Sequence, residues 1–116
     1  MTRLATAAEL AAAVAAPRFL LFKHSTRCPI SAAAFEEWQA WQRAHPDAPT
    51  AWIDVIEQRD LVRTFAAQCG VRHESPQALW FTAGKVAWHA SHGDITAESL
   101  EAARPRGGTS GAAPVR

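Results

Sequence analysis

The sequence predicts an α/β protein in which a central mixed β-sheet is flanked by helices on both faces. Strand-like and helix-like segments alternate along most of the chain, as expected when helices cover a sheet. Near the end, two strand-like segments are separated only by Ala83-Gly84, which is typical of a hairpin. The hairpin adds antiparallel strands to strands that are connected through helices, so the sheet is predicted to be mixed.

The first part of the chain is predicted to form a helix, a buried strand and a longer helix. Residues 6–9 have the Thr-x-x-Glu form of a capping box and precede an alanine-rich helix that runs to about Ala15. Residues 18–23 are almost continuously apolar, as in a strand that is buried on both faces. Pro29 favours the first turn of the next helix, which is predicted to last until about His45. The apolar face of this helix is predicted to contain Ile30, Ala34, Trp38 and Trp41.

The rest of the chain supplies the remaining elements. Strand-favouring residues at 51–56 follow a break that contains prolines. Leu61, Val62 and Phe65 recur at helical spacing before Gly70, a typical helix terminator. The predicted order closes with hairpin strands at 77–82 and 86–89 and a helix at 96–103.

The chain is predicted to hold one domain and a flexible tail. Its 116 residues are enough for one core, and a composition of 48% hydrophobic and 20% charged residues is typical of a soluble globular protein. Residues 1–103 are assigned to the domain. Beyond them, glycine, proline and serine replace most apolar residues, so residues 104–116 are predicted to be a flexible Gly/Pro-rich tail.

Charge and targeting patterns argue against several classes of partner. Lys and Arg outnumber Asp and Glu by only 12 to 11, and no long basic run is present, so nucleic acid is not expected as a partner. Residues 1–16 lack the pattern of a secretory signal, and no segment has the length and hydropathy of a membrane span. The 2 cysteines are too few for a disulfide-stapled secreted fold. We therefore expect a cytoplasmic protein that has no membrane partner.

Cys28 is the predicted nucleophile. It directly precedes Pro29 at the N-terminus of the second helix, where unpaired N–H groups stabilise a thiolate. Lys23, His24 and Arg27 are close in sequence and can add positive potential around the sulfur, and the sequence leaves open which of them points at it.

Ser31 gives this motif its monothiol character. Cys28-Pro29-Ile30-Ser31 is a C-x-x-S version of the redox C-x-x-C pattern. A serine hydroxyl can donate a hydrogen bond to the Cys28 sulfur but cannot close an internal disulfide, so an outside thiol must resolve a mixed disulfide. Cys69 is not expected to serve, because it lies near a helix C-terminus, which disfavours an anion.

Three separated segments carry a resemblance to one family. They are residues 22–31, 70–77 and 86–92, which read FKHSTRCPIS, GVRHESPQ and VAWHASH. In this order they resemble the YtxJ family, the monothiol bacilliredoxins of the bacillithiol system, and the likeness extends from about Thr6 to Leu100. The family has threonine where this chain has Arg27, a difference that leaves the nucleophile in place.

The resemblance implies a thioredoxin-like fold and an enzyme, a thiol-disulfide oxidoreductase. Cys28 would remove bacillithiol from protein mixed disulfides, with bacillithiol as co-substrate and no bound cofactor. The partners would be bacillithiolated client proteins and this low-molecular-weight thiol.

The site residues expected on this basis fall into two groups around Cys28. Those expected to stabilise its thiolate are Pro29, Ser31, His24 and Lys23. By the resemblance, Ser75-Pro76 occupies the place of the cis-proline that faces the active-site cysteine in thioredoxin folds. The backbone of Ser75 would then pair with an extended substrate segment or with the peptide-like part of a small thiol.

Other functions stay open at the level of the sequence. They are a general monothiol oxidoreductase that uses another small thiol, a thiol peroxidase that passes through sulfenic acid, and a non-enzymatic module that senses redox state or shares a metal cluster. A metal site is not expected, because the spacings of His73, His89 and His92 match no compact zinc pattern. The tryptophans are predicted to pack in or near the core.

Overall fold

Strands and helices alternate as predicted within residues 3–105, the part of the chain that the computed structural model describes. The elements are α1 (Ala7–Val14), β1 (Phe19–His24), α2 (Pro29–Ala44), β2 (Thr50–Asp54), α3 (Arg59–Cys69), β3 (Gln77–Thr82), β4 (Lys85–Ser91) and α4 (Ala97–Ala102), with a single 3-10 turn at His92–Asp94. The capping box predicted at α1 is present. The Thr6 hydroxyl accepts the Glu9 N–H, and the Glu9 carboxylate accepts the Thr6 N–H.

The sheet has four strands in the order β2-β1-β3-β4. Strand β1 runs parallel to β2 and antiparallel to β3, and the β3–β4 hairpin is antiparallel. The predicted mixed sheet and the interior position of β1 are therefore confirmed. Because β1 is interior, the loop that follows it opens at the middle of one sheet end, next to the start of α2.

The two faces of the sheet carry separate cores. Successive strand residues point to opposite faces, so Leu21 of β1 packs with Leu10 of α1 and Phe65 of α3. On the other face, Phe22 of β1 packs with Trp38 of α2. Helices thus cover both faces, as the sequence predicts.

Three tryptophans fill the α2 side of the sheet and find partners for their indole N–H groups. Trp38, Trp41 and Trp80 are each at most 1% exposed. Trp38 donates to the Thr50 hydroxyl at 2.8 Å, and Trp80 donates to the Leu100 carbonyl at 3.0 Å. These bonds remove the cost of burying a polar N–H group and tie α2 and α4 to the sheet.

Two details differ from the sequence prediction. Ile30 was expected on the buried face of α2 but is 55% exposed. The buried face begins instead at Ser31, which is rotated about 100° from Ile30 around the helix axis. Strand β2 ends at Asp54 rather than at residue 56, because the Asp54 carboxylate accepts the backbone N–H of Ile56 and turns the chain.

The described chain ends against the domain. The Arg104 guanidinium lies 5.7 Å from the centre of the Trp41 ring, and Arg18 donates to the Pro105 carbonyl at 3.3 Å. Residues 106–116 of the predicted flexible tail lie outside the described residues, so the tail stays a prediction.

Gly70 offers a test of how α3 ends. It caps the helix in the left-handed conformation, with φ of 78°, and no atom lies within 4 Å of the place that a Cβ would take. Gly70→Ala is therefore expected to lower the free energy of unfolding by about 1 kcal/mol through backbone strain alone. Chemical denaturation measures this loss.

The matched control is Gly93→Ala, because Gly93 has equal space around it but no positive φ. The control should change the free energy of unfolding by less than about 0.5 kcal/mol. Equal losses in the two variants would contradict the conformational explanation.

Candidate active site

Cys28 occupies the N-cap of α2, as the sequence predicts. Its N–H donates to the Ser25 carbonyl at 3.2 Å, and its own carbonyl accepts the Ala32 N–H at 2.9 Å. The short loop after β1 therefore closes on itself just before the helix begins. The side chain is half-buried, and it makes no capping hydrogen bond.

The start of α2 supplies positive potential at this position. Pro29 is the first helical residue and has no N–H, whereas the N–H groups of Ile30 and Ser31 have no carbonyl partner within the helix. A thiolate at the N-cap lies at the positive end of the helix dipole. The predicted thiolate-stabilising role of Pro29 is thus one of fixing where the helix begins.

Ser31 holds the loop that carries Cys28. Its hydroxyl is fully buried and accepts the Ser25 N–H at 2.8 Å, and it also lies 2.8 Å from His24 Nδ1. These contacts replace the hydrogen bond to the Cys28 sulfur that the sequence suggested. Ser31 therefore acts on the thiol through the position of the loop.

His24 is the last residue of β1 and is buried on the α2 side of the sheet. Its ring stacks on Phe35, with the ring centres 4.2 Å apart. Burial lowers its pKa below 6.5, and the charge of Asp54 only partly opposes that effect. This shift disfavours the charged imidazole, and the expected contribution of His24 to the thiolate stays a prediction.

Lys23 is buried at the end of β1 and is held by a neutral partner. Its ammonium donates to Gln77 Oε1 at 2.8 Å, and the side chain is 1% exposed. Burial lowers its pKa from 10.5 to about 8, although the charges of Cys69 and Glu74 act in the opposite direction. Within the described residues no hydrogen bond joins Lys23 to Cys28, so the predicted effect on the thiolate depends on charge at a distance.

Cys28 opens into a groove of about 470 Å³ between the β1–α2 loop and α3. Ser75 lines the same groove and is joined to the buried Pro76 by a cis peptide bond. The structure thus brings the two predicted parts of the site, the nucleophile and the Ser75-Pro76 segment, together at one surface.

The groove also contains residues that the sequence analysis did not assign to the site of Cys28. Arg59 and Arg63 of α3 lie on its wall, and His73 comes from the loop before Ser75. The spacing of the two arginines on α3 is the sequence signal that could have identified them. Residues four apart on a helix share a face, and Val62 of the same helix is buried. Burial and the Lys23 ammonium lower the pKa of His73, and the charge of Glu74 partly opposes that effect.

Cys69 lies apart from this groove. It is the last residue of α3 and lines a second groove between α1 and α3, next to Leu10 and Leu61. Its sulfur lies 3.8 Å from the Ala66 carbonyl in its own helix.

Two kinds of feature are absent from the described part of the chain. Among residues 3–105, no three His, Cys, Asp or Glu side chains are grouped so that they could hold a metal ion. In the same range, no helix has the length and apolar character needed to cross a bilayer.

Comparison with known proteins decides the family. The family model described as Monothiol bacilliredoxin BrxC matches residues 1–100. The chain belongs to the monothiol bacilliredoxin BrxC family. As a bacilliredoxin it is a thiol-disulfide oxidoreductase, and the resemblance inferred from the sequence motifs is confirmed.

Solved structures agree with this assignment. A protein described as an oxidoreductase with a thioredoxin fold is 32% identical, with a TM-score of 0.82, and the match covers 88% of this chain and 91% of that one. Mitochondrial thioredoxin 3 from Saccharomyces cerevisiae matches at 18% identity and a TM-score of 0.69, over 88% of this chain and 91% of its own. Thioredoxin from Trypanosoma brucei brucei matches at 12% identity and a TM-score of 0.71, over 89% and 86%. The bacilliredoxin therefore has the predicted thioredoxin fold.

The Ser31 hydroxyl yields a first test at the site. Ser31→Ala leaves the Ser25 N–H and His24 Nδ1 without their common partner in a buried setting. We expect the free energy of unfolding to fall by about 1–3 kcal/mol. Chemical denaturation measures the loss, and hydrogen exchange at the Ser25 amide should become faster.

Thr26→Ala serves as the control, since Thr26 is an exposed residue of the same loop. It should change stability by less than about 0.5 kcal/mol. Unchanged exchange at Ser25 in Ser31→Ala would contradict the anchoring role.

Lys23 yields a test of pH dependence. Its pKa is about 8 in the folded protein and returns to 10.5 on unfolding, so between these values the unfolded chain binds more protons. The free energy of unfolding should therefore rise with pH across this window, by on the order of 3 kcal/mol. Below pH 8 the full cost of burying the charged ammonium should lower stability. Urea denaturation at a series of pH values measures the slope.

Lys23→Met should lose this rise, whereas Lys85→Met should keep it, because Lys85 is exposed. Parallel slopes in the wild type and in Lys23→Met would show that Lys23 is not the group that titrates.

Proposed function

We propose that this bacilliredoxin removes bacillithiol from protein mixed disulfides through the Cys28 thiolate. The observation that carries the proposal is the placement of Cys28 at the N-cap of α2, in a groove that also contains Ser75, with serine and not cysteine at residue 31. The family match supports the choice of bacillithiol as the small thiol. A cytoplasmic location belongs to the same proposal.

In the first step the Cys28 thiolate attacks the bacillithiol sulfur of the mixed disulfide. A new disulfide forms between Cys28 and bacillithiol, the original S–S bond breaks, and the client cysteine leaves as a thiolate that water protonates. The positive end of α2 favours the attacking thiolate over the thiol.

In the second step another bacillithiol thiolate attacks the bacillithiol sulfur on Cys28. The products are oxidised bacillithiol and a free Cys28 thiolate, so the enzyme returns to its starting state with no bound cofactor. Ser31 cannot compete in this step, because a hydroxyl does not form a disulfide and its buried oxygen is occupied by Ser25 and His24.

The proposal predicts a clear difference between the two cysteines. Cys28→Ser should abolish the release of bacillithiol from a labelled client peptide, because it removes the nucleophile with little change in volume. Cys69→Ser should retain most of the activity, since Cys69 lines a different groove. Intact mass after exposure to oxidised bacillithiol should show a single adduct, on Cys28.

Circular dichroism of both variants controls for folding. An active Cys28→Ser, or an internal disulfide instead of a bacillithiol adduct, would contradict the monothiol mechanism. A wild type that reduces other small-thiol mixed disulfides as fast as the bacillithiol one would favour a general monothiol oxidoreductase.

A further inference from the structure

The groove beside Cys28 has one strongly cationic wall. Arg59 and Arg63 lie one turn apart on α3, and both line the groove. Both arginines are exposed. No hydrogen bond or salt bridge within residues 3–105 engages either guanidinium, whereas Arg3 and Arg104 each pair with a glutamate.

Nothing in the lining neutralises these charges. Its other members are apolar or neutral polar residues, and it contains no carboxylate. Burial and the Lys23 ammonium lower the pKa of His73, although the charge of Glu74 partly opposes them. The groove therefore presents two guanidinium groups and a cysteine at the positive end of a helix.

A further polar atom in the groove lacks a partner. The Ser75 hydroxyl oxygen is buried, and it is the one buried side-chain N or O atom in the described range with no hydrogen bond. Ser75 and the nucleophile Cys28 line the same groove. An unpartnered buried hydroxyl costs stability, and proteins keep few of them, so stability is not the only constraint on the Ser75 end of the groove.

We infer that Arg59 and Arg63 bind a carboxylate of the small thiol that Cys28 accepts, so that the enzyme selects anionic thiols over neutral or cationic ones. Guanidinium groups bind carboxylates through paired N–H donors, which fixes orientation as well as charge. Held in this way, the thiol would place its sulfur against Cys28 while its polar backbone reaches Ser75. The inference rests on the proposed function in that it names the feature of the thiol that the site recognises.

The dimensions favour a small molecule over a protein segment as the occupant. A groove of about 470 Å³ lies within the range of small-ligand sites, which is roughly 300–1,000 Å³. An acidic segment of a client protein is the competing occupant, and the experiment below separates the two.

The first test compares two alkylating agents that differ chiefly in charge, iodoacetate and iodoacetamide, in a Cys69→Ser background. The ratio of their rates at Cys28 cancels any change in the thiolate itself. The ratio of iodoacetate to iodoacetamide should fall by about tenfold in Arg59→Gln/Arg63→Gln, from two ion pairs of modest strength. Arg43→Gln is the matched control, because Arg43 is an exposed arginine in the last turn of α2, and it should leave the ratio unchanged.

The second test measures turnover of mixed disulfides that join one uncharged peptide to 3-mercaptopropionate, 2-mercaptoethanol or cysteamine. Wild-type kcat/KM should decrease in that order, and added salt should narrow the differences. In the double arginine variant the ratio of kcat/KM for the anionic thiol to kcat/KM for the neutral one should fall toward one, whereas Arg43→Gln should keep the wild-type ratio.

The outcomes separate this inference from the proposed function. Unchanged ratios in the double variant, with turnover intact, would overturn the inference and leave the proposed function standing. A lowered alkylation ratio without turnover of any mixed disulfide would support anion binding and contradict the proposed function. A variant that loses activity only on peptides rich in Asp and Glu, at unchanged small-thiol ratios, would assign the arginines to client proteins and so overturn the inference.

Discussion

Burial of β1 on both faces is the constraint on which the site depends. All six of its residues, Phe19–His24, are buried, including the polar pair at its end. A buried polar group must find a partner, so Lys23 pairs with Gln77 on one face and His24 with Ser31 on the other. The strand that organises the core thus also fixes both sides of the loop that leads to the thiol.

This arrangement explains how a serine can replace the second cysteine of a dithiol motif. Ser31 lies on the buried face of α2, below the loop, and its oxygen is committed to a backbone N–H and an imidazole nitrogen. A hydroxyl is well suited to such a position because it can donate and accept at once. Ser31 therefore has a structural role at the position where a dithiol enzyme has its second cysteine. An outside thiol must then resolve the mixed disulfide.

Most of the fold could be predicted from the sequence because its signals are local. The capping box at Thr6, the apolar run of β1 and the proline at the start of α2 each act within a few residues. Cys28 and Ser75-Pro76 could be brought together only through the family resemblance, since their approach depends on the path of the chain. Hydrophobic spacing also put Ile30 on the buried face of α2, which begins at Ser31 instead. Ser31 is buried because its hydroxyl is hydrogen-bonded, and a pattern of apolar residues does not include it.

The electrostatics of the site could not be obtained from the sequence. Nearness along the chain suggested Lys23 and His24 as cations around the sulfur, yet burial lowers the pKa of both groups, His24 stacks on Phe35 and Lys23 donates to Gln77. The charges that do line the groove, Arg59 and Arg63, come from a helix some thirty residues further along. Ionisable side chains keep their charge most readily where they reach solvent, and tertiary packing decides which of them do so at the groove.

The position of Pro105 has a practical consequence. Its carbonyl is bonded to Arg18, which directly precedes β1, whereas Cys28 follows the other end of that strand. The six residues of β1 separate the two points by roughly 20 Å. A fluorescent reporter joined directly after Pro105 would therefore be attached at the end of the sheet remote from the thiol, where it would leave the groove beside Cys28 open to mixed disulfides.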